Sequence, residues 1–243
     1  MKGLISLYYW VIGLGYFVPV LLVLLVRSLF QAPKDYDPWL RRCVKTLFRL
    51  LNSDPQIEYA EELPVGEPLI FMANHSSLID IPLLKAVIPQ YFVGIIAEDQ
   101  LKYLLYGSAV RRMGSIPIQR DNIRKSLISF NLAKQKLQEG IQITVLPEGG
   151  RSLDGQLIPF KRLAFRFAKE SGAHIVPMSI SGVFKMKNKG SFHLKPGPIV
   201  VRFGSVIRAE SIAGMELDEM LSTTYHAIQA GLEPFEAGKQ KNQ

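Results

Sequence analysis

His75 and Asp80 stand five positions apart in Asn74-His75-Ser76-Ser77-Leu78-Ile79-Asp80. A folded turn between them brings the carboxylate back to the imidazole. A carboxylate that accepts one ring N–H fixes the tautomer and stabilises the cation, which leaves the other nitrogen free to act as a base. The same heptapeptide also reads as a helix start, with Asn74, Ser76 or Ser77 as the cap and His75 as an ordinary surface residue. Three further polar clusters share the pattern of an apolar run that ends in polar or glycine residues. They are Gly114-Ser115-Ile116-Pro117-Ile118-Gln119-Arg120, Leu146-Pro147-Glu148-Gly149-Gly150-Arg151-Ser152 and Ile175-Val176-Pro177-Met178-Ser179-Ile180. Adjacent glycines let backbone N–H groups approach an oxyanion, and Arg151 offers a bidentate fork. The second cluster is not a Walker loop, because no lysine and hydroxyl follow at the required spacing.

The elements that must position these residues alternate. Strands are expected over residues 57–60, 69–73, 92–97, 116–118, 142–146, 175–180 and 199–203, and helices over 81–87, 99–106, 123–139, 160–171 and 217–231. Asp121 or Asn122 caps the third of these helices and Gly140 stops it. This alternation predicts an α/β domain with a mixed β-sheet flanked by helices. Residues 185–195 read as a lysine-rich loop.

Residues 3–26 carry no charged side chain, which is long enough for a bilayer-crossing helix, with Pro19 as a site for a kink. Tyr8, Tyr9, Trp10, Tyr16 and Phe17 suit the interfacial depth. A cleaved signal peptide fits poorly, since the apolar stretch is too long and no small-x-small site follows. Asp35 to Pro38 breaks the pattern. A second helix then places Trp39, Cys43, Leu47, Leu50 and Leu51 at helical spacing, with Arg41, Arg42, Lys45 and Arg49 on the other sides. Such a basic amphipathic helix either lies in a membrane interface or packs on the protein's own core. The expected division is therefore a membrane anchor of two helices over residues 1–52 and an α/β domain over 53–243. Residues 3–26 either span the membrane or lie in it. The basic flank after Val26 directs the rest of the chain to the cytoplasmic face of the cell membrane.

Composition narrows the partners. The 29 Lys and Arg residues exceed the 21 Asp and Glu by eight, which suits phosphate or an anionic membrane surface. Helix-turn-helix, zinc-finger and RNA-recognition signatures are lacking, so nucleic acid is not an expected partner. Cys43 is the single cysteine, so no disulfide forms within the chain. The other histidines, His174, His193 and His226, lack ligand spacing, and no metal is expected.

The ordered set Asn-His-x-Ser-x-x-Asp, Gly-x-Ile-x-Ile-x-Arg, Pro-Glu-Gly-x-Arg-Ser and Ile-Val-Pro resembles the four motif blocks of the glycerolipid acyltransferases, most closely the 1-acyl-sn-glycerol-3-phosphate branch. It covers about residues 56–205. The resemblance implies His75 as general base with Asp80 as its partner. It implies an acyl-acceptor phosphate site made by Arg120, Glu148, Gly149 and Arg151, with Asn74, Ser77, Gly150, Ser152 and Lys161 also lining the substrate site. Glu148 cannot bind phosphate itself, so its expected role is to orient Arg151 or another donor. Position 150 is Gly where the family has Thr, and Leu163 replaces a family glycine. The implied reaction moves a fatty acyl group from acyl-CoA or acyl carrier protein to the sn-2 hydroxyl of lysophosphatidate, giving phosphatidate without a cofactor. A lipase using Ser76 or Ser77 with His75 would need a Gly-x-Ser-x-Gly elbow that this chain lacks. A non-catalytic binder of anionic lipid is the reading from another class.

Overall fold

A computed structural model describes residues 2–119 and 121–236. Two helices, α1 (Lys2–Arg27) and α2 (Pro33–Leu50), precede β1 (Pro55–Tyr59) and β2 (Leu69–Ala73). Next come α3 (Asp80–Val87), β3 (Phe92–Ala97), a 3-10 helix (Glu98–Lys102), α4 (Leu104–Arg112), β4 (Ile116–Ile118), α5 (Ile123–Gln138) and β5 (Gln142–Val145). The chain continues through α6 (Arg162–Ser171), β6 (His174–Ser181), α7 (Val183–Met186), β7 (Ile199–Phe203), α8 (Ala209–Gly214) and α9 (Leu217–Ala230).

The seven strands form one sheet in the order β1-β7-β6-β2-β5-β3-β4. All pairs are parallel except β6 with β7. β2 sits at the centre, fully buried and paired on both sides, as its uninterrupted apolar run requires. Its residues alternate between two cores. Leu69, Phe71 and Ala73 join one built with α1, α2 and α3, while Ile70 and Met72 join another built with α5, α6 and α9. The motif loops after β2, β4 and β5 all leave the carboxyl ends of parallel strands, where open α/β sheets form their clefts.

Four expectations change on contact with the structure. The break at Asp35 to Pro38 is absent: Pro33 begins α2, Asp35 lies in its first turn and Pro38 is carried inside it. Proline near a helix start forfeits few hydrogen bonds, which is why the helix runs through. The buried stripe of α2 is Tyr36, Leu40, Val44, Leu47 and Phe48, rotated from the expected one, and Leu50 is exposed. So α2 is a core helix. The helix expected over 99–106 is instead a 3-10 turn and then α4, separated at the extended Tyr103. The two pieces fold onto each other at Gly107, where an added Cβ would stand 2.3 Å from the Leu101 carbonyl oxygen. Two short helices, α7 and α8, were not expected from the sequence.

Candidate active site

Asp80 is the first residue of α3, and the chain from β2 reaches it through a tight polar turn. Its side chain is wholly buried, and a single oxygen, Oδ2, accepts three hydrogen bonds. The donors are Nδ1 of His75 at 2.7 Å and the backbone N–H groups of Ser76 at 2.7 Å and Ser77 at 2.8 Å. The turn therefore exists because the carboxylate gathers its own backbone around it. With Nδ1 donating to the carboxylate, Nε2 of His75 carries the lone pair. His75 lines a cavity of about 550 Å³, so that lone pair belongs to a group in contact with the cleft. The N-cap of α3 is Ile79, and no side chain caps it. The capping alternative thus fails as an account of this stretch.

The loop after β5 clasps His75 from both sides. Glu148 Oε1 accepts the His75 backbone N–H at 2.5 Å, and the Ser152 N–H donates to the His75 carbonyl at 2.9 Å. Glu148 Oε2 accepts the Ile158 N–H at 3.2 Å. Of the two expected roles of Glu148, orienting Arg151 or another donor, its hydrogen bonds match the second: its oxygens accept the backbone N–H groups of His75 and Ile158. Burial pushes the Glu148 carboxyl up to about 8, against the pull of its two N–H donors. Between about 4.5 and about 8 the folded protein holds a proton that the unfolded chain has released, so stability falls as pH rises through that window. We expect the melting temperature to decline between about pH 5 and about pH 8.5, and Glu148→Gln to flatten that decline. An unchanged slope in the variant would rule out a buried neutral Glu148.

Several residues expected to touch substrate are occupied by the protein. Asn74 bridges to β6, donating to the Ile180 carbonyl at 2.9 Å and accepting its N–H at 2.7 Å. Ser77 Oγ donates to the Lys187 carbonyl. Ser152 Oγ donates to Asp154 at 2.9 Å and accepts the Gly155 N–H at 2.9 Å. These three position the loops. Gly149, Gly150, Arg151 and Lys161 do line the cavity with His75. A Cβ on Gly149 would stand 3.1 Å from the Lys161 stem, while one on Gly150 would face open space. Arg120 lies outside the described residues. Ile81, Ile95, Ile96, Ile118, Phe130 and Val145 form an apolar wall. Ile81, Ile118 and Val145 adjoin or lie within the motif clusters, whereas Ile95, Ile96, Phe130 and the cavity-lining Lys189 come from stretches outside them and were not legible as part of the site.

An imidazole held by a buried carboxylate thus lines a cavity that has an apolar wall and that Arg151, Lys161 and Lys189 also line. The family model described as "Acyltransferase" matches residues 54–181, and the chain belongs to that family. It is 31% identical over 142 residues to a 1-acyl-sn-glycerol-3-phosphate acyltransferase of Cocos nucifera, covering 58% of this chain and 46% of that protein. A chloroplastic enzyme of the same name from Arabidopsis thaliana is 32% identical over 164 residues, covering 64% of this chain and 46% of the other. The chain thus spans about half the length of the curated relatives it matches. The crystal structure of the 1-acyl-sn-glycerophosphate acyltransferase PlsC from Thermotoga maritima superposes with a TM-score of 0.81 at 25% identity, covering 95% of this chain and 96% of that one.

Proposed function

We propose that this chain transfers a fatty acyl group from a thioester, acyl-CoA or acyl carrier protein, to the sn-2 hydroxyl of lysophosphatidate. The observation that carries the reading is the His75–Asp80 pair, 2.7 Å apart, facing a cavity with an apolar wall and the cations Arg151 and Lys161. Nε2 of His75 takes the hydroxyl proton as the oxygen attacks the thioester carbonyl. Asp80 stabilises the imidazolium. The C–S bond breaks as the tetrahedral adduct collapses, and the imidazolium returns its proton to the thiolate. Phosphatidate and the free thiol are the products. The serines do not compete as nucleophiles, since both are buried and Ser77 Oγ is committed to the Lys187 carbonyl.

Purified protein should form phosphatidate from lysophosphatidate only when a thioester donor is present. Release of fatty acid without an acceptor, or no turnover with any lysophospholipid, would refute this.

We also infer that residues 1–52 attach the chain to the cytoplasmic face of the cell membrane, with α1 lying in the surface. The helix Gly3–Arg27 is long and apolar enough to cross a bilayer. Yet both of its halves are seated on the body. Ser6 Oγ accepts the Leu194 N–H at 2.8 Å, Trp10 Nε1 donates to the Phe192 carbonyl at 2.7 Å, and Leu21 and Leu24 are buried in the core. Crossing would require one end to leave. Leu4, Leu7, Tyr8, Val11 and Leu22 are exposed on the opposite side. Deleting residues 1–52 would also strip α2 from the core, so the test is a surface change. Leu7→Asp with Val11→Asp should release the protein from anionic vesicles and leave its melting temperature nearly unchanged. Retained vesicle binding would overturn this mode of attachment.

A further inference from the structure

The segment between β6 and β7 carries none of the four motifs, yet the fold brings it to the edge of the cavity. It leaves β6 through Gly182, whose φ is +92° and where an added Cβ would stand 2.1 Å from the Pro198 carbonyl oxygen. A side chain cannot be accommodated there. After α7 the chain crosses Ser77, whose buried hydroxyl donates to the Lys187 carbonyl. That bond fastens the backbone of Lys187 to the turn between His75 and Asp80.

Three cations, Arg151, Lys161 and Lys189, line the cleft together with His75. Lys187 is outside that lining but is tied by its backbone to the His75–Asp80 turn; burial lowers its ammonium from the usual range, and the Arg151 guanidinium lowers it further. The Lys187 ammonium donates at 2.7 Å to the carbonyl of Asn188, a neutral acceptor. Among the described residues, no carboxylate forms an ion pair with Arg151, Lys187 or Lys189. Like charges gathered without an acidic partner repel, and a dianion between them turns that repulsion into attraction.

We propose that Lys187 and Lys189, with Arg151, bind the phosphate monoester of a substrate, so that the β6–β7 segment forms one wall of the phosphate site. The proposal rests on the reading of this chain as an acyltransferase acting on a phosphate-bearing lipid. Two substrates carry such a group: the lysophosphatidate headgroup and the 3′-phosphate of coenzyme A. The turn that holds His75 also holds Lys187, which favours the acceptor headgroup.

The test uses the full chain with Lys187→Gln, Lys189→Gln and both together, each also placed on a His75→Ala background to block turnover. Lys187→Arg and Lys189→Arg keep the charge. Lys195→Gln, exposed on the same segment and outside both the cavity lining and the Ser77 tether, removes one charge elsewhere. In mixed micelles the double glutamine variant should bind lysophosphatidate about tenfold or more weakly, as expected for losing charge-assisted bonds. Binding of the matching monoacylglycerol should be unchanged, and the arginine forms should restore the affinity. A KM increase for acyl-CoA but not for an acyl-pantetheine thioester would keep the phosphate cradle and assign it to the donor. Unchanged lysophosphatidate binding together with unchanged donor KM values would overturn the proposal. So would an equal loss in Lys195→Gln. The binding measurement needs no turnover, so failure of the wild-type chain to transfer an acyl group would refute the functional reading separately.

Discussion

Replacing His75 with alanine is expected to lower kcat by about 10²–10⁴-fold, the range for a positioned general base. Lysophosphatidate binding should survive, because the cations that line the cavity are untouched. Asp80→Ala should also be severe, but it carries a second cost. The Ser76 and Ser77 N–H groups lose their acceptor in a buried turn, at about 1–3 kcal/mol each. Asp80→Asn is the cleaner variant, since an amide oxygen in place of Oδ2 can still take all three donors while the negative charge is lost. The asparagine variant should therefore keep most of its melting temperature and still lose much of its rate. If His75 and Asp80 act as one unit, the double variant should be about as slow as His75→Ala alone. Multiplicative losses, or rates that merely follow unfolding, would show that the pair does not work as a base and its orienter.

The pair was legible in the sequence because everything it needs is local: a buried strand that stops, a turn of six residues, and a carboxylate at the head of the next helix. The same holds for the four strands whose bounds match the expected ones, β2, β3, β4 and β7, each a short, mostly apolar run that ends at a polar or glycine residue. What could not be read depends on partners far along the chain. Glu148 read as an orienter of Arg151, three residues away, or of another donor that the sequence could not name. Its acceptors serve His75 and Ile158, a choice fixed by how β5 lies beside β2. Asn74 looked like a substrate ligand and is a bridge to Ile180 in β6, 106 residues on. The stripe of α2 was misplaced for a related reason. Trp39 and Cys43 are apolar but only half-buried, packed beside α1, while Tyr36, Leu40 and Val44 meet the core.

Asp37 is the sharpest case, since it lies in the stretch that read as a break between two anchor helices. It is buried, and each of its oxygens accepts from a cation: Oδ1 from Lys85 Nζ at 2.6 Å and Oδ2 from Arg41 Nη2 at 2.6 Å. Lys85 is buried too, its Nζ 3.9 Å from the centre of the Phe92 ring. Lys85 belongs to α3, the helix that begins with Asp80, so this pair pins α2 to the element that carries half of the proposed dyad. Asp37→Ala should cost about 3–5 kcal/mol, because it strands a charge in an apolar setting. The stranded lysine will shed its proton, and this gives the loss a signature. Burial already pushes the Lys85 ammonium down, and Asp37 is what pulls it back up. Without Asp37 the folded variant releases that proton at a pH where the unfolded chain still holds it, so the variant should regain stability as pH rises toward the ordinary lysine range. Adding Lys85→Met should recover most of the loss by replacing the stranded ammonium with an apolar side chain of similar length. Denaturant unfolding of the unchanged chain and of the two variants at neutral and alkaline pH checks this. A change in Asp37→Ala of no more than about 0.5 kcal/mol, as for an exposed residue, would mean that α2 is held by its apolar stripe alone. A large loss that does not ease with pH, and that Lys85→Met does not repair, would mean that Arg41 and not Lys85 is the partner that matters.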